Sequence, residues 1–119
     1  YNNLHDLMDR LHGFGVKIVV ITDGPDGAYA SDGQQRLQMP LYPDPAPPKE
    51  RTGAGDAFAS TFVAALAKGN TIEGALQWAP INSMSVVQET GAQAGLLNEE
   101  KLEEFLRHSP DYYRPQPMQ

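Results

Sequence analysis

The sequence has 119 residues and 40% hydrophobic content, which suffices for one small domain with a real core. A formal net charge of -6 disfavours broad attraction to nucleic acid or to an anionic membrane, and the absence of cysteine excludes disulfides, thiolate catalysis and cysteine-based metal sites. No apolar run approaches the roughly 20 residues needed to cross a bilayer, and no signal peptide is recognisable, so we expect a cytoplasmic protein.

The first third of the chain shows a helical pattern followed by strand patterns. Hydrophobic residues recur at helical spacing over residues 3–12 and predict a short amphipathic helix. Residues 17–22 are almost continuously β-branched, as in a strand covered on both faces. Two further runs, 28–31 and 35–39, predict a hairpin with Asp32-Gly33 in its turn. Because the chain opens on Tyr1 inside a helical pattern, we expect it to be a piece of a longer protein.

A proline-rich loop separates this part from a long helical pattern. Five prolines lie between residues 40 and 48, which is incompatible with a helix or a central strand. Apolar and small residues then predict a closely packed helix over residues 54–68, and Gly69 ends it.

The last part of the chain reads as two helices and a tail. Asn70 is the predicted cap of the first, which Pro80 is expected to bend or restart. Asn98 begins the second, and the tail at 109–119 is expected to be flexible or to lie on a partner. The fold class is therefore α/β, with residues 1–108 forming one portion of a domain that has too few strands for a complete sheet.

A glycine-rich motif, Thr-Gly-Ala-Gly-Asp, stands where the proline-rich loop becomes a helix, at residues 52–56. Glycines at a helix start let the backbone approach a ligand, and the unpaired amides and the helix dipole there attract negative charge. A carboxylate in the same turn, Asp56, makes sense as a base that takes a proton from an attacking alcohol while the amides hold a phosphoryl group.

The alternative for this motif is purely structural. Thr52 or Asp56 would cap the helix, and the glycines would form a turn. Other phosphate-binding motifs fit badly, because a Walker loop needs Gly-Lys-Ser/Thr and Phe58 stands where the dinucleotide fingerprint needs its third glycine.

Three stretches together carry a resemblance to a known family. They are ITDGPDGAYA at 21–30, ERTGAGDAFASTFVAAL at 50–66 and NSMSVVQETGAQ at 82–93. In this order and spacing they resemble the C-terminal part of ribokinase-like (PfkB-type) carbohydrate kinases, up to about Leu106. The resemblance implies a three-layer αβα fold, of which only the C-terminal portion is present, and ATP-dependent phosphoryl transfer to a sugar hydroxyl.

The same resemblance assigns the residues of the motif. Asp56 corresponds to the base that activates the sugar hydroxyl. Gly53, Ala54 and Gly55, with the amide of Asp56, correspond to the anion hole.

The resemblance also implies nucleotide contacts. Thr22, Gly24 and Gly27 match a turn that touches the nucleotide in the family, although an ordinary strand-ending turn explains the same spacing. Near Pro80 the family usually places an Asn or His against adenine, and Asn82 is the nearest amide here. The alternative for Asn82 is a helix residue that bonds to backbone freed by the proline.

The resemblance also implies that metal ions are bound. Mg²⁺ accompanies ATP, and the letters Asn-Thr-Ile-Glu at 70–73 match the family's magnesium motif, but they follow the glycine-rich motif instead of preceding it and so indicate a helix cap. Glu50 and Thr52 correspond to a monovalent cation site, with carbonyls from the later loop at residues Val86, Glu89 and Gly91. Such an oxygen cage would suit K⁺, and a solvated loop is the alternative.

Two functional hypotheses result. In the first, the chain is the nucleotide-binding and catalytic-base portion of a sugar kinase, and the family's sugar contacts lie mainly in an upstream half. In the second, the chain alone is a non-catalytic fragment that binds nucleotide or self-associates into a homo-oligomer through an exposed sheet edge.

Overall fold

The structure is a computed structural model that describes residues 4–22, 27–44, 54–88 and 97–118. Four helices and four strands follow one another within these ranges. They are α1 (Leu4–Gly13), β1 (Val19–Thr22), β2 (Ala28–Ser31), β3 (Arg36–Met39), α2 (Ala54–Ala67), α3 (Ile72–Val87), α4 (Glu99–Arg107) and β4 (Gln116–Pro117). None of the helices in these four ranges has the length and apolar character required to span a lipid bilayer.

The strands form one antiparallel sheet in the order β1-β2-β3-β4. Val19 of β1 pairs with Ser31 of β2, and Ala28 of β2 pairs with Met39 of β3. Val19 is buried, whereas Val20 and Ile21 are only half-buried. The predicted strand is therefore present, but within the described ranges it forms an edge of the sheet and is not covered on both faces.

The predicted hairpin turn is confirmed. A carboxylate oxygen of Asp32 accepts hydrogen bonds from the backbone N–H of Gln35 at 2.8 Å and of Gln34 at 2.9 Å. These two bonds stabilise the charged form and hold the pKa of Asp32 below its usual value. Gly33 has a φ of 91°, a conformation that glycine adopts without strain.

Helix α3 lies at the centre of the molecule and packs against α2, α4, β2 and β3. Its side chains Ala75, Leu76, Ala79 and Ile81 are completely buried. The helix continues through Pro80 without restarting, because the surrounding core holds it on both sides of the one backbone hydrogen bond that is lost with the proline N–H. The core combines this helix with side chains from β2, β3, α2 and α4.

The helix starts are close to those predicted. Asn98 caps α4 as expected, since its side chain accepts from the backbone N–H of Lys101 at 3.0 Å. At α3 the cap is Thr71 and not Asn70, because the Thr71 hydroxyl accepts from the N–H of Gly74 at 3.2 Å. Gly69, with a φ of 93°, follows α2 as expected.

The tail differs from the flexible segment that was expected at 109–119. Tyr113 is only 3% exposed and belongs to the core. Residues Gln116–Pro117 pair with β3, and the N–H of Met118 donates to the carbonyl of Arg36 at 2.9 Å. The large aromatic surface buried by Tyr113 offsets the entropy lost when the tail is ordered.

Candidate active site

Helix α2 begins at the candidate phosphate motif, and α3 fixes its first residue. The hydroxyl of Ser83 in α3 donates to the carbonyl of Ala54 at 3.2 Å. Ser83 was not among the site residues predicted from the sequence. Its position one residue after Asn82 carries no sequence signal for this contact, which depends on how the two helices cross.

Asp56 lies in the first turn of α2 with an exposed side chain. Within the described ranges, no hydrogen bond or ion pair engages its carboxylate. The amides of Ala54, Gly55 and Asp56 belong to the helix turn that has no intrahelical acceptors. The carboxylate and these N–H groups therefore lie at the same surface, outside the core.

Gly55 leaves the backbone of this turn accessible. Among the described residues, no atom lies within 4 Å of a Cβ atom built on it, so these residues leave the space in front of it open. A ligand can thus approach the peptide units of the turn closely, and the helix dipole favours a negatively charged one.

Several predicted site residues lie outside the described residues. Gly53 of the anion hole, Gly24 of the nucleotide turn, and Glu50 and Thr52 of the cation site are among them. Of the three predicted cation-site carbonyls, only that of Val86 is described, and this residue is buried in α3. Within the described ranges there is no group of three or more His, Asp or Glu side chains that could hold a metal ion.

The nucleotide turn is described at its two ends. Thr22 is the last residue of β1 and is exposed. Gly27 is buried with a φ of 91°, and a Cβ atom there would overlap the carbonyl oxygen of Met39. The close approach of β3 therefore explains why glycine is needed at position 27, without any ligand. The predicted contact of both residues with a nucleotide stays a prediction.

Asn82 makes contacts that neither of its predicted interpretations included. Its side-chain amide donates to the hydroxyl of Thr61 at 2.8 Å, and its side-chain oxygen accepts from the N–H of Leu97 at 2.8 Å. The Thr61 hydroxyl in turn donates to the carbonyl of Ala57 at 2.7 Å. Asn82 thus joins α3 to α2 and to the residue that precedes the α4 cap.

A cavity of about 610 Å³ lies between α2, α3 and the start of α4. Thr61, Lys68, Trp78, Asn82 and Leu97 are among the residues that line it. Neither Gly55 nor Asp56 lines this cavity, so it is separate from the candidate anion site at the start of α2.

Comparison with known proteins gives consistent results. The pfkB family carbohydrate kinases match residues 2–99. A ribokinase of Bacillus subtilis (strain 168) is 38% identical over 86 residues, which cover 72% of this chain and 29% of the relative. A cytidine kinase of Thermococcus kodakarensis is 40% identical over 72 residues, which cover 60% of this chain and 26% of the relative.

Solved structures agree with these relatives. An Arabidopsis thaliana ribokinase complexed with ribose and ATP superposes with a TM-score of 0.80 and 26% identity, over 90% of this chain and 34% of that one. The chain therefore spans about a third of the length of the proteins that it matches, or less. The predicted partial αβα ribokinase-like fold is confirmed, and the chain belongs to the pfkB family of carbohydrate kinases.

Proposed function

We propose that this chain carries the catalytic base and the anion-binding helix start of an ATP-dependent kinase that phosphorylates a sugar hydroxyl. The observation that carries the proposal is the exposed carboxylate of Asp56 in the first turn of α2, beside Gly55, in front of which the described residues leave open space. Membership of the pfkB family and the ribose and ATP bound to the Arabidopsis relative support it.

In the proposed reaction, Asp56 accepts the proton of the sugar hydroxyl as its oxygen attacks the γ-phosphorus of ATP. The new O–P bond forms while the bond between the γ-phosphorus and the bridging oxygen breaks, and ADP leaves with that electron pair. Gly53, Ala54 and Gly55, with the amide of Asp56, stabilise the negative charge on the transferred group.

Thr22, Gly24 and Gly27 are proposed to contact the nucleotide. Asn82 remains the candidate for adenine, although its side chain already joins three parts of the chain. Mg²⁺ enters with the phosphates of ATP, as part of the substrate. Glu50 and Thr52 are proposed for K⁺, and no step of the reaction is assigned to either ion.

The test is phosphoryl transfer by the complete gene product with ATP and a panel of sugars and nucleosides. Asp56→Asn keeps the size of the side chain but cannot accept the proton, so it should lower the rate by roughly 10²- to 10⁴-fold. Asp111→Asn is the matched control, because Asp111 is also exposed but lies in the tail.

The control should keep wild-type activity. Equal activity of Asp56→Asn and wild type would remove Asp56 as the base. If the protein phosphorylates nucleosides but not sugars, Asp56 remains the proposed base and the proposed substrate class changes from sugars to nucleosides.

The 119-residue chain by itself supports a second proposal, a fragment that folds without turnover. Helix α2 is apolar almost all round, yet Val63 is 64% exposed and Ala59, Ala64 and Ala67 are exposed beside it. Helices of this composition are normally covered. The chain also spans only about a third of its relatives. These features favour a need for further protein against this face.

Two measurements on the 119-residue chain separate the proposals. Titration with ATP tests whether the nucleotide site survives in it, and sedimentation tests whether the chain self-associates. Saturable ATP binding without phosphoryl transfer would support the fragment proposal. Turnover by the chain alone would refute it.

A further inference from the structure

Ser83 in α3 contacts the first residue of α2. Its hydroxyl group donates a hydrogen bond to the carbonyl oxygen of Ala54 at 3.2 Å. A serine inside a helix can instead bond to the carbonyl four residues before it in its own helix. Ser83 directs its proton across the interface between the two helices, and α3 thereby holds the start of α2.

The carbonyl group that Ser83 binds belongs to the same peptide unit as the N–H of Gly55. Because this unit is planar and its peptide bond is trans, the carbonyl and the N–H point in opposite directions. Holding the carbonyl therefore directs the Gly55 N–H away from the Ser83 hydroxyl. The hydrogen bond also polarises the peptide unit, which makes its N–H a stronger donor.

The first turn of α2 depends on such a contact more than the rest of the helix does. Gly55 stands inside this turn, and glycine has more backbone freedom than any other residue. The amides of the turn have no acceptors within the helix, and no side chain of the described residues accepts from them. The bond from Ser83 therefore restricts a turn that would otherwise open easily.

A second contact with α3 holds the same helix at its next carbonyl group on this side. The carbonyl of Ala57 accepts from the hydroxyl of Thr61 at 2.7 Å, and that hydroxyl accepts from the side-chain amide of Asn82 at 2.8 Å. Gly55 and Asp56 thus lie between two carbonyls that consecutive residues of α3 hold, one directly and one through Thr61. Together the two contacts fix how α2 is rotated about its axis, and with it the surface to which the motif points.

We propose that Ser83 is a positioning residue for phosphoryl transfer, because it orients the Gly55 N–H toward the place where charge develops on the transferred group. Ser83 acts through the peptide unit between Ala54 and Gly55 and touches no substrate. The contact with Ala54 stands on the structure, whereas its consequence for the reaction rests on the proposed kinase function.

Steady-state kinetics of the complete gene product, with ATP and the sugar or nucleoside that it phosphorylates, test this role. Ser83→Ala removes the hydroxyl group with little change in size, so the Gly55 N–H loses its fixed direction. The kcat should fall roughly tenfold, which is less than the loss of about 10²- to 10³-fold caused by removal of an entire donor. The KM for the phosphorylated substrate should stay unchanged, because the substitution alters no group proposed to bind it.

Two further variants show whether the hydroxyl at this position is the cause. Ser83→Thr keeps the hydroxyl group and should restore most of the lost kcat. Ser109→Ala is the matched control, because the Ser109 hydroxyl also donates to a backbone carbonyl, that of Leu106 at 2.7 Å, but lies outside α2 and α3. The control loses the same kind of bond and should keep the wild-type kcat at a temperature at which all four proteins are folded.

Unchanged kcat in Ser83→Ala would overturn the proposal. An equal loss of kcat in Ser83→Ala and Ser109→Ala would also overturn it, since that result would indicate a general effect on the fold. The same holds if Ser83→Thr recovers none of the lost rate.

Carbonyl-carbon NMR of Ala54 in the 119-residue chain tests the contact itself, without any turnover. The resonance of a carbonyl carbon moves upfield when its oxygen loses a hydrogen bond, so Ser83→Ala should shift Ala54 and Ser109→Ala should not. An unshifted Ala54 resonance would show that Ser83 does not hold the peptide unit. If the wild-type protein transfers no phosphoryl group, the proposed kinase function fails and the role of Ser83 in the reaction fails with it, whereas this resonance still decides the contact.

Discussion

The start of α2 is built differently from the starts of α3 and α4. At α3 and α4 the side chains of Thr71 and Asn98 accept hydrogen bonds from first-turn amides. At α2, no side chain within the described ranges accepts from these amides, and Ser83 binds the carbonyl of Ala54 instead. A capping side chain occupies the volume in which an anion would bind. The comparison therefore shows two helix starts closed by their own capping side chains, whereas the described residues supply no such side chain at the start of α2.

Beyond their first turns, α2 is also more exposed than α3. Helix α3 is enclosed by α2, α4 and the sheet, whereas the side of α2 that carries Val63 is exposed. Sequence composition alone does not distinguish the two helices, because both are rich in apolar residues along their whole length. The region around α3, α4 and the tail is closed by internal contacts, and the region around α2 is open.

Asn82 carries the largest expected effect, because it joins the closed region to the body of α2. Asn82→Ala removes the partners of Thr61 and of the Leu97 amide, and it should lower the free energy of unfolding by about 2–3 kcal/mol in chemical denaturation. Thr61→Val tests the same contact from α2, and the double variant should lose less than the sum.

ATP affinity of the two single variants separates a structural role of Asn82 from a nucleotide contact. If the residue is structural, ATP affinity of the folded variant should match that of wild type. A loss of affinity in Asn82→Ala that Thr61→Val does not share would indicate contact with the nucleotide.

The pH dependence of stability above pH 10 tests the buried tyrosine of the closed region. Burial raises the pKa of Tyr113 above its ordinary value near 10. Its contribution to stability is fully present below pH 10 and is lost as the pH rises above it, because the unfolded tyrosine ionises first. At pH 11 the loss should be about 1.4 kcal/mol.

Denaturation curves between pH 8 and pH 11 measure this loss. Tyr113→Phe removes the ionisable group and should lose less stability over the same range. An identical alkaline decline in both proteins would contradict the assignment to Tyr113.

Removing the cap of α3 or of α4 should cause a smaller loss of stability, of similar size for the two helices. Thr71→Ala and Asn98→Ala should each lower the free energy of unfolding by about 1 kcal/mol, since each removes one amide acceptor. Thermal unfolding measures both variants. Thr71→Ser, which keeps the hydroxyl, should retain most of the stability, and a loss as large as that of Thr71→Ala would mean that the cap is not the cause.

Substitution of Gly55 should have the smallest effect on stability, and it should stabilise the protein. Gly55→Ala meets no atom of the described residues and restricts the unfolded chain, so it should raise the free energy of unfolding by about 0.5 kcal/mol. The added methyl group nevertheless stands in front of the amides and should weaken ATP binding to the complete gene product. Higher stability with unchanged affinity would show that the ligand does not approach this turn.

The elements with local signals were predicted from the sequence. The hairpin around Asp32, the cap at Asn98 and the helix that starts at the glycine-rich motif follow from turn chemistry and from helical spacing. The cap of α3 was predicted one residue too early, at Asn70 in place of Thr71. Both residues are good caps, and only the direction of the incoming chain selects between them.

Features that depend on distant residues were not predicted. The tail was expected to be flexible or to lie on a partner because of its prolines, yet Tyr113 lies between α3 and Tyr42. Asn82 was assigned to a nucleotide or to freed backbone, yet it bonds to α2 and to Leu97. These contacts join positions that are far apart in the sequence, and periodicity within one segment contains no information about them.

By itself, the sequence determined that a glycine-rich turn with one carboxylate opens an apolar helix, because backbone freedom, capping and spacing are local properties. Only the tertiary structure decided that this carboxylate is exposed and that neighbouring helices close their own starts. It also decided that the tail folds back onto the sheet, since that depends on which distant apolar surfaces bury one another.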